Sequence, residues 1–233
     1  YLRSGRSIGT FQIESQGQMH LLALHQPKCF KDLISQIALF RPGPLQGGMV
    51  HPYIRRRNGR ETVSYDHSNL EPILKDTYGI ILFQEQILEI ANRFSGMTLA
   101  EADDFRSEMS KRRSRKKLLE MRNHFITGAV HKGVEESIAT KVFEKIANFV
   151  GYGFCRSHAA AFAKIVYQSA WLKLYFPAAY MASVMQHHPG MYPLQTLEEE
   201  AKRSATEKCA LVEDQLTKTS DKLVSLETKA NLD

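Results

Sequence analysis

YGIILFQEQILEIANRFSG, residues 78–96, decides the fold class of this chain. Its opening, YGIILF, is the best strand candidate in the sequence. The same apolar run is short enough to begin a buried helix, and periodicity does not separate the two. QEQILEIANRF then continues as helix, and Gly96 ends it.

Working outward, nearly every segment is helical. GQMHLLALH (17–25) sets Met19, Leu22 and Ala23 toward one side, and Pro27 stops it. FKDLISQIALF sets Leu33, Ile37 and Phe40 on one face. RPGP (41–44) is a hard stop. GGMVHPYIRRRNG predicts a short helix with Pro52 near its first turn and Gly59 at its end. Ser68 or Asn69 is placed to cap NLEPILKD. Downstream, Thr98 and Glu101 form a capping box. Leu118, Met121, Phe125 and Ala129 define an amphipathic helix ending near Gly133, and residues 135–149 define another through Ile138, Val142, Phe143 and Ile146. A long helix is expected over 159–175, a further one over 178–187, and a last one capped by Thr196. Cys209, Val212, Leu216, Thr219, Leu223, Leu226 and Ala230 alternate in three- and four-residue steps, the spacing of a coiled-coil seam. The expected fold is mainly α, irregular, with at most a few short strands and a C-terminal amphipathic helix. Residues 1–203 and 204–233 are expected as a body and a divergent tail.

Composition bounds the function. The 233 residues are 43% hydrophobic, enough for a real core. No run approaches the roughly 20 apolar residues of a membrane span. There is no signal-peptide pattern and no initiator Met, so the chain reads as cut from something longer. Cys29, Cys155 and Cys209 match neither a disulfide framework nor a zinc site, and a cytoplasmic setting is expected. Lys and Arg exceed Asp and Glu by 31 to 25. The excess is concentrated in Arg55, Arg56 and Arg57 and in KRRSRKK (111–117), a composition that suits polyanions.

GYGFCRSHAAAF (151–162) looks chemical. Cys155 and His158 could form a nucleophile pair, but the spacing does not force them together and no third orienting group is evident. A cradle and a plain capped helix weigh equally on spacing alone. Gly151 and Gly153 allow a close backbone approach. Ser157 is placed to cap the next helix, aiming N–H groups near residues 158–160 at a phosphate. Arg106 and Lys111 would suit a triphosphate nearby. Asp103 and Asp104 diverge by about 100° on a helix and so do not chelate one ion. They read as a favourable N-terminal charge. Glu85 and Glu89, one turn apart, read as a solvent face or a structural network. Neither a Walker loop, nor GxGxxG, nor HExxH occurs.

FQIES (11–15), ALFRPGPLQGGMVHPYIRRRNG (38–59), TYGIILFQEQILEIA (77–91), ADDFRSEMSK (102–111) and GYGFCRSHAAAFA (151–163) together resemble the bacterial DNA polymerase III alpha subunit, the C-family polymerases. GGMVHPYIRRRNG and PGMYP are similar to its error-prone branch. The resemblance runs in order over about residues 10–203 and implies the helical fingers domain. Its implied activity is DNA-directed DNA polymerisation in replication or translesion synthesis. It implies nucleotide contacts at Arg41, Arg106, Lys111, Tyr152, Ser157 and His158, and DNA contacts at Arg55, Arg56, Arg57, Arg112, Arg113, Arg115, Lys116 and Lys117. Ser107 stands where the family usually has a second arginine, and Cys155 where many members have asparagine. Implied partners are template-primer DNA and a deoxynucleoside triphosphate, with the sliding clamp and other replisome proteins bound by regions outside this segment and no membrane. The Mg2+ ions and their aspartates are implied in the palm, which precedes it. No catalytic or metal-binding residue is expected within the chain, which would be inactive alone. The alternative is a non-enzymatic nucleic-acid-binding or assembly module, distinguished by salt-dependent DNA binding without a nucleotide response.

Overall fold

The computed structural model describes residues 1–41, 48–110, 115–149 and 153–230, apart from the side chains of Ser110, Arg115 and residues 223–230. The described residues form eleven α-helices: α1 (Gln16–His25), α2 (Phe30–Leu39), α3 (Val50–Arg57), α4 (Glu71–Leu74), α5 (Gln84–Glu89), α6 (Leu99–Ser110), α7 (Arg115–His131), α8 (Glu136–Phe149), α9 (Arg156–Tyr175), α10 (Pro177–His187) and α11 (Leu194–Ala230). The mainly α expectation holds. None of these helices is long and apolar enough to cross a membrane.

YGIILF is neither strand nor helix. Its last residues are extended and buried, and pair only through a bridge between Phe83 and Phe154. Gln86 explains why. Its side-chain Oε1 accepts from the Leu82 and Phe83 amides at 2.8 and 3.0 Å, taking donors that a neighbouring strand would need. Helix α5 then loosens into a π-helical turn over Ile90–Phe94, which the apolar spacing did not announce. Gly96 ends it at φ +80°, as expected of a left-handed stop.

The core has three parts. Residues of α4 to α8 bury one cluster, centred on Phe94, Phe105, Phe125 and Phe143. Their neighbouring ring centroids lie 5.6 to 6.2 Å apart, in the range where aromatic pairs attract. Gly128 admits the close pass of α7 over the preceding turn, since a Cβ there would sit 2.2 Å from the Ser95 carbonyl oxygen. The second part joins α1, α2, α3 and α9. The third packs α10 on α11.

Several local expectations are corrected. Leu118 is exposed rather than inward. His67 caps the helical turn at Ser68–Leu70, its Nδ1 accepting from the Asn69 amide at 3.2 Å, so neither Ser68 nor Asn69 is the cap. Thr196 lies inside α11, which begins at Leu194 directly after Pro193. Helix α11 runs through Arg203 without a break. Its early turns are docked: Lys173, fully buried, donates to Glu200 and to the Ile8 carbonyl. Residues 209–222 are exposed throughout.

Candidate functional site

Segments distant in sequence meet at the N-terminal end of α9. Gln84, the first residue of α5, joins them. Its amide donates to the Phe154 carbonyl at 3.0 Å, and its Nε2 donates to the Gly153 carbonyl at 2.9 Å. Its Oε1 accepts from Arg106 Nη1 at 3.4 Å. Gly153 does provide a close approach, but to the protein itself: a Cβ would lie 3.0 Å from Gln84 Cγ and 3.1 Å from the Phe149 ring.

Glu85 holds the start of α9. Its two carboxylate oxygens accept from the Arg156 amide at 2.9 and 3.0 Å, and the Cys155 thiol donates to it at 3.4 Å. This arrangement overturns Ser157 as the cap. Helix α9 starts at Arg156 with Cys155 as its N-cap residue, so Ser157 sits within the first turn. The Ala159 amide already bonds to the Cys155 carbonyl at 3.0 Å and is not aimed at a ligand. A carboxylate from 70 residues away therefore occupies the positive end of the helix. Cys155 also shares a 2.9 Å contact with the Ser157 hydroxyl.

Arg106 projects from the middle of α6. Its Nε and Nη2 donate to Asp103 at 3.0 and 2.7 Å, and its side chain is 29% exposed. Asp103 thus partners Arg106 as well as lying in the first half of the helix. The Arg41 guanidinium lies 4.3 Å from the centre of the Phe154 ring. A row of rings continues from there: Phe154 to His158 at 5.2 Å, His158 to Phe162 at 4.4 Å, and Phe162 to Phe11 at 5.4 Å. Arg41 thus sits over the first ring of this row and Arg106 is linked to the same loop through Gln84; guanidinium groups suit phosphate oxygens and aromatic faces suit a base.

Residues 1–133 match the family described as the bacterial DNA polymerase III alpha subunit finger domain. This chain belongs to that family. It is 46% identical over 202 residues to the error-prone DNA polymerase of Anaeromyxobacter dehalogenans strain 2CP-C, covering 86% of this chain. It is 44% identical over 200 residues to proteins of the same name from Symbiobacterium thermophilum and Mycobacterium tuberculosis strain CDC 1551 / Oshkosh, covering 85% and 84% of this chain. In each case the chain spans 18% of the length of the curated relative it matches.

The basic residues of this finger domain divide by burial. Arg57 is 5% exposed, clamped on Asp32 and donating to the His25 carbonyl at 2.8 Å. Burial alone would raise the Asp32 carboxyl. The Arg57 hydrogen bonds and the Lys28 amide outweigh it and hold the group below the usual carboxylate range. Arg56 bonds to Glu61 at 2.8 Å and to the Tyr78 carbonyl at 3.1 Å. Both are therefore held by partners within the fold. Arg55 is 52% exposed and shares Glu61. Lys116 and Lys117 are exposed at the start of α7, with Lys117 3.9 Å from Glu120. Lys111, Arg112, Arg113 and Tyr152 lie outside the described residues, as does the side chain of Arg115.

Gln84 and Glu85 went unrecognised in the sequence as organisers of the site. The available signal was their position, polar and at a helix start directly after the buried IILF run. Among the described residues no group of three or more His, Cys, Asp or Glu could hold a metal ion. Of the site's own carboxylates, Glu85 accepts from the α9 amide and Asp103 from Arg106.

Proposed function

We propose that this chain is the fingers part of a DNA-directed DNA polymerase, gripping the incoming deoxynucleoside triphosphate and template-primer DNA in error-prone or translesion synthesis, or in replication. The observation that carries this is the convergence of Arg106, Gln84, Arg41 and residues 153–158 at one end of α9. Arg106 exchanges Asp103 for triphosphate oxygens. The row from Phe154 to Phe162 faces the nucleotide, with His158 and Ser157 exposed beside it. Arg55, Lys116 and Lys117 offer cations to the DNA backbone. Lys111, Tyr152, Arg112, Arg113 and Arg115 join these sets through the family resemblance alone.

In this proposal the Mg2+ ions and the nucleotidyl-transfer centre belong to the rest of the parent protein, as do contacts with the sliding clamp and other replisome proteins. The chain binds and orients, and does not polymerise alone. The test is steady-state kinetics of an intact parent polymerase carrying Arg106→Ala. Losing a charged hydrogen bond to the nucleotide should lower kcat/KM for the deoxynucleoside triphosphate by roughly ten- to a hundredfold. Unchanged constants would overturn the assignment.

A further inference from the structure

Helix α9 carries a second aromatic surface, away from the row at its N-terminal end. Tyr167, Trp171, Tyr175 and Phe176 are each between 43% and 54% exposed. Tyr167, Trp171 and Tyr175 recur every four residues, so they climb one helix face in steps of about 6 Å. Trp171 lies 5.0 Å from Tyr175 and 5.5 Å from Phe176, ring centre to ring centre. Phe30, at the start of α2, extends the surface and meets Tyr167 edge-on at 6.5 Å. A hollow of about 400 Å³ opens among Tyr167, Gln168, Trp171 and Leu172. That volume lies within the range of small-molecule sites, large enough for a base.

Several cations lie around the rings. Lys208 of α11 reaches over Tyr175 at 5.4 Å. Lys164 is exposed one turn before Tyr167, and Lys28 and Lys31 are exposed on either side of Phe30. Most telling, no Asp or Glu occurs between Glu144 and Glu198, a stretch that contains all of α9 and α10. Neighbouring elements bring carboxylates that are already engaged: Asp32 with Arg57, Asp76 with Lys31 and Arg156, Glu200 with Lys173, and Glu207 with Arg6 and Arg203. A protein interface recruits aromatic rings too, but has no need to exclude carboxylates over such a length.

We propose that the Phe30–Tyr167–Trp171–Tyr175 surface is a stacking platform for single-stranded nucleic acid, distinct from the nucleotide grip at the start of α9. Exposed rings interleaved with cations bind bases by stacking and the backbone by charge, with little sequence preference. The inference rests on the polymerase reading only for naming the strand as single-stranded DNA.

Trp171 is the only tryptophan in the chain, so its emission reports on the platform directly. The experiment titrates the full chain with fluorescein-labelled oligothymidylate and follows DNA anisotropy and Trp171 emission together. Saturable quenching should track binding, and both should weaken as salt rises. Tyr175→Ala and Tyr167→Ala should each weaken binding roughly tenfold, and Tyr175→Phe should restore it. Both tyrosines are half exposed, and circular dichroism verifies that the variants fold. Binding that leaves Trp171 emission unchanged overturns the proposal, as does an absence of binding. So does an emission change that follows protein concentration alone with dimer formation, which would assign the face to a second copy of the chain. The Arg106 kinetics report on a different surface, so the two proposals fail separately.

Discussion

Arg57 and Arg106 are the same residue type in opposite settings. Arg57 is enclosed: its guanidinium is spent on Asp32 and the His25 carbonyl, and Asp32 is itself only 11% exposed. Around it His25, Gln36 and Gln18 form a chain of buried side-chain hydrogen bonds of 2.8 Å. Arg106 is open: one carboxylate and one amide oxygen hold it, and the carboxylate is 56% exposed. An arginine whose carboxylate partner is buried is tied into the fold. An arginine parked on an exposed aspartate keeps its charge and geometry while remaining exchangeable.

The sharpest way to break this contrast is Arg57→Ala. It leaves Asp32 buried without its counter-ion, which should cost about 3–5 kcal/mol. Urea unfolding measures it, and a loss below about 1 kcal/mol would mean that the pair behaves like a surface one.

The next largest effect comes from acid. Burial lowers the His25 pKa from the ordinary 6.5 to about 4, with the Gln36 hydrogen bond working in the opposite direction. Nδ1 donates to Gln36, because the Gln36 amide is oriented by donating to Gln18, and Nε2 is buried without a partner. The unfolded chain therefore takes up a proton first as pH falls. Stability should be full above pH 6.5 and fall by about 3 kcal/mol on the way to pH 4, at 1.36 kcal/mol per pH unit. Asp32, held below its usual range, adds to the loss at lower pH still. His25→Gln should flatten the upper part of that profile, and an unchanged slope between pH 6.5 and 4 would remove His25 as its source.

On the open side, Glu85→Gln should cost only about 1 kcal/mol, the scale of a carboxylate at a helix N-terminus. Thermal unfolding against salt detects it, since the charge contribution is screened and the hydrogen bond is not. Smallest of all, Arg106→Ala should change stability by less than about 0.5 kcal/mol, while carrying the kinetic effect given above. A large stability loss at Arg106 would place it with Arg57.

Local chemistry was legible in the sequence and distant partners were not. The Thr98–Glu101 box forms as its spacing requires, with hydrogen bonds of 2.8 and 3.3 Å between side chain and amide in each direction. Pro27 and Gly96 end their helices where expected. Arg57 looked like one of three equivalent surface cations because Asp32, which buries it, lies 25 residues back. Ser157 looked like a cap because nothing near it in sequence competes for the α9 amides, whereas Glu85 does so across the fold. YGIILF had strand composition but lost its donors to Gln86, a residue whose reach depends on its place as the third residue of α5. Of the residues that meet near the start of α9, Arg41, Arg106, Ser157 and His158 were singled out in the sequence and Gln84 was not, while Glu85 was read only as a solvent face or a structural network.

Helix α11 gives the molecule mechanical leverage. Its docked turns are fixed through Glu200 to Lys173 in the last turn of α9, and the helix then runs on without a break. From Glu200 to Lys222 it extends about 33 Å at 1.5 Å per residue. A tilt of about 10° at the anchor would sweep Lys222 through about 6 Å, by the same geometry. A displacement too small to disturb the packing around Lys173 thus arrives amplified at the far end, where a neighbouring body could register it.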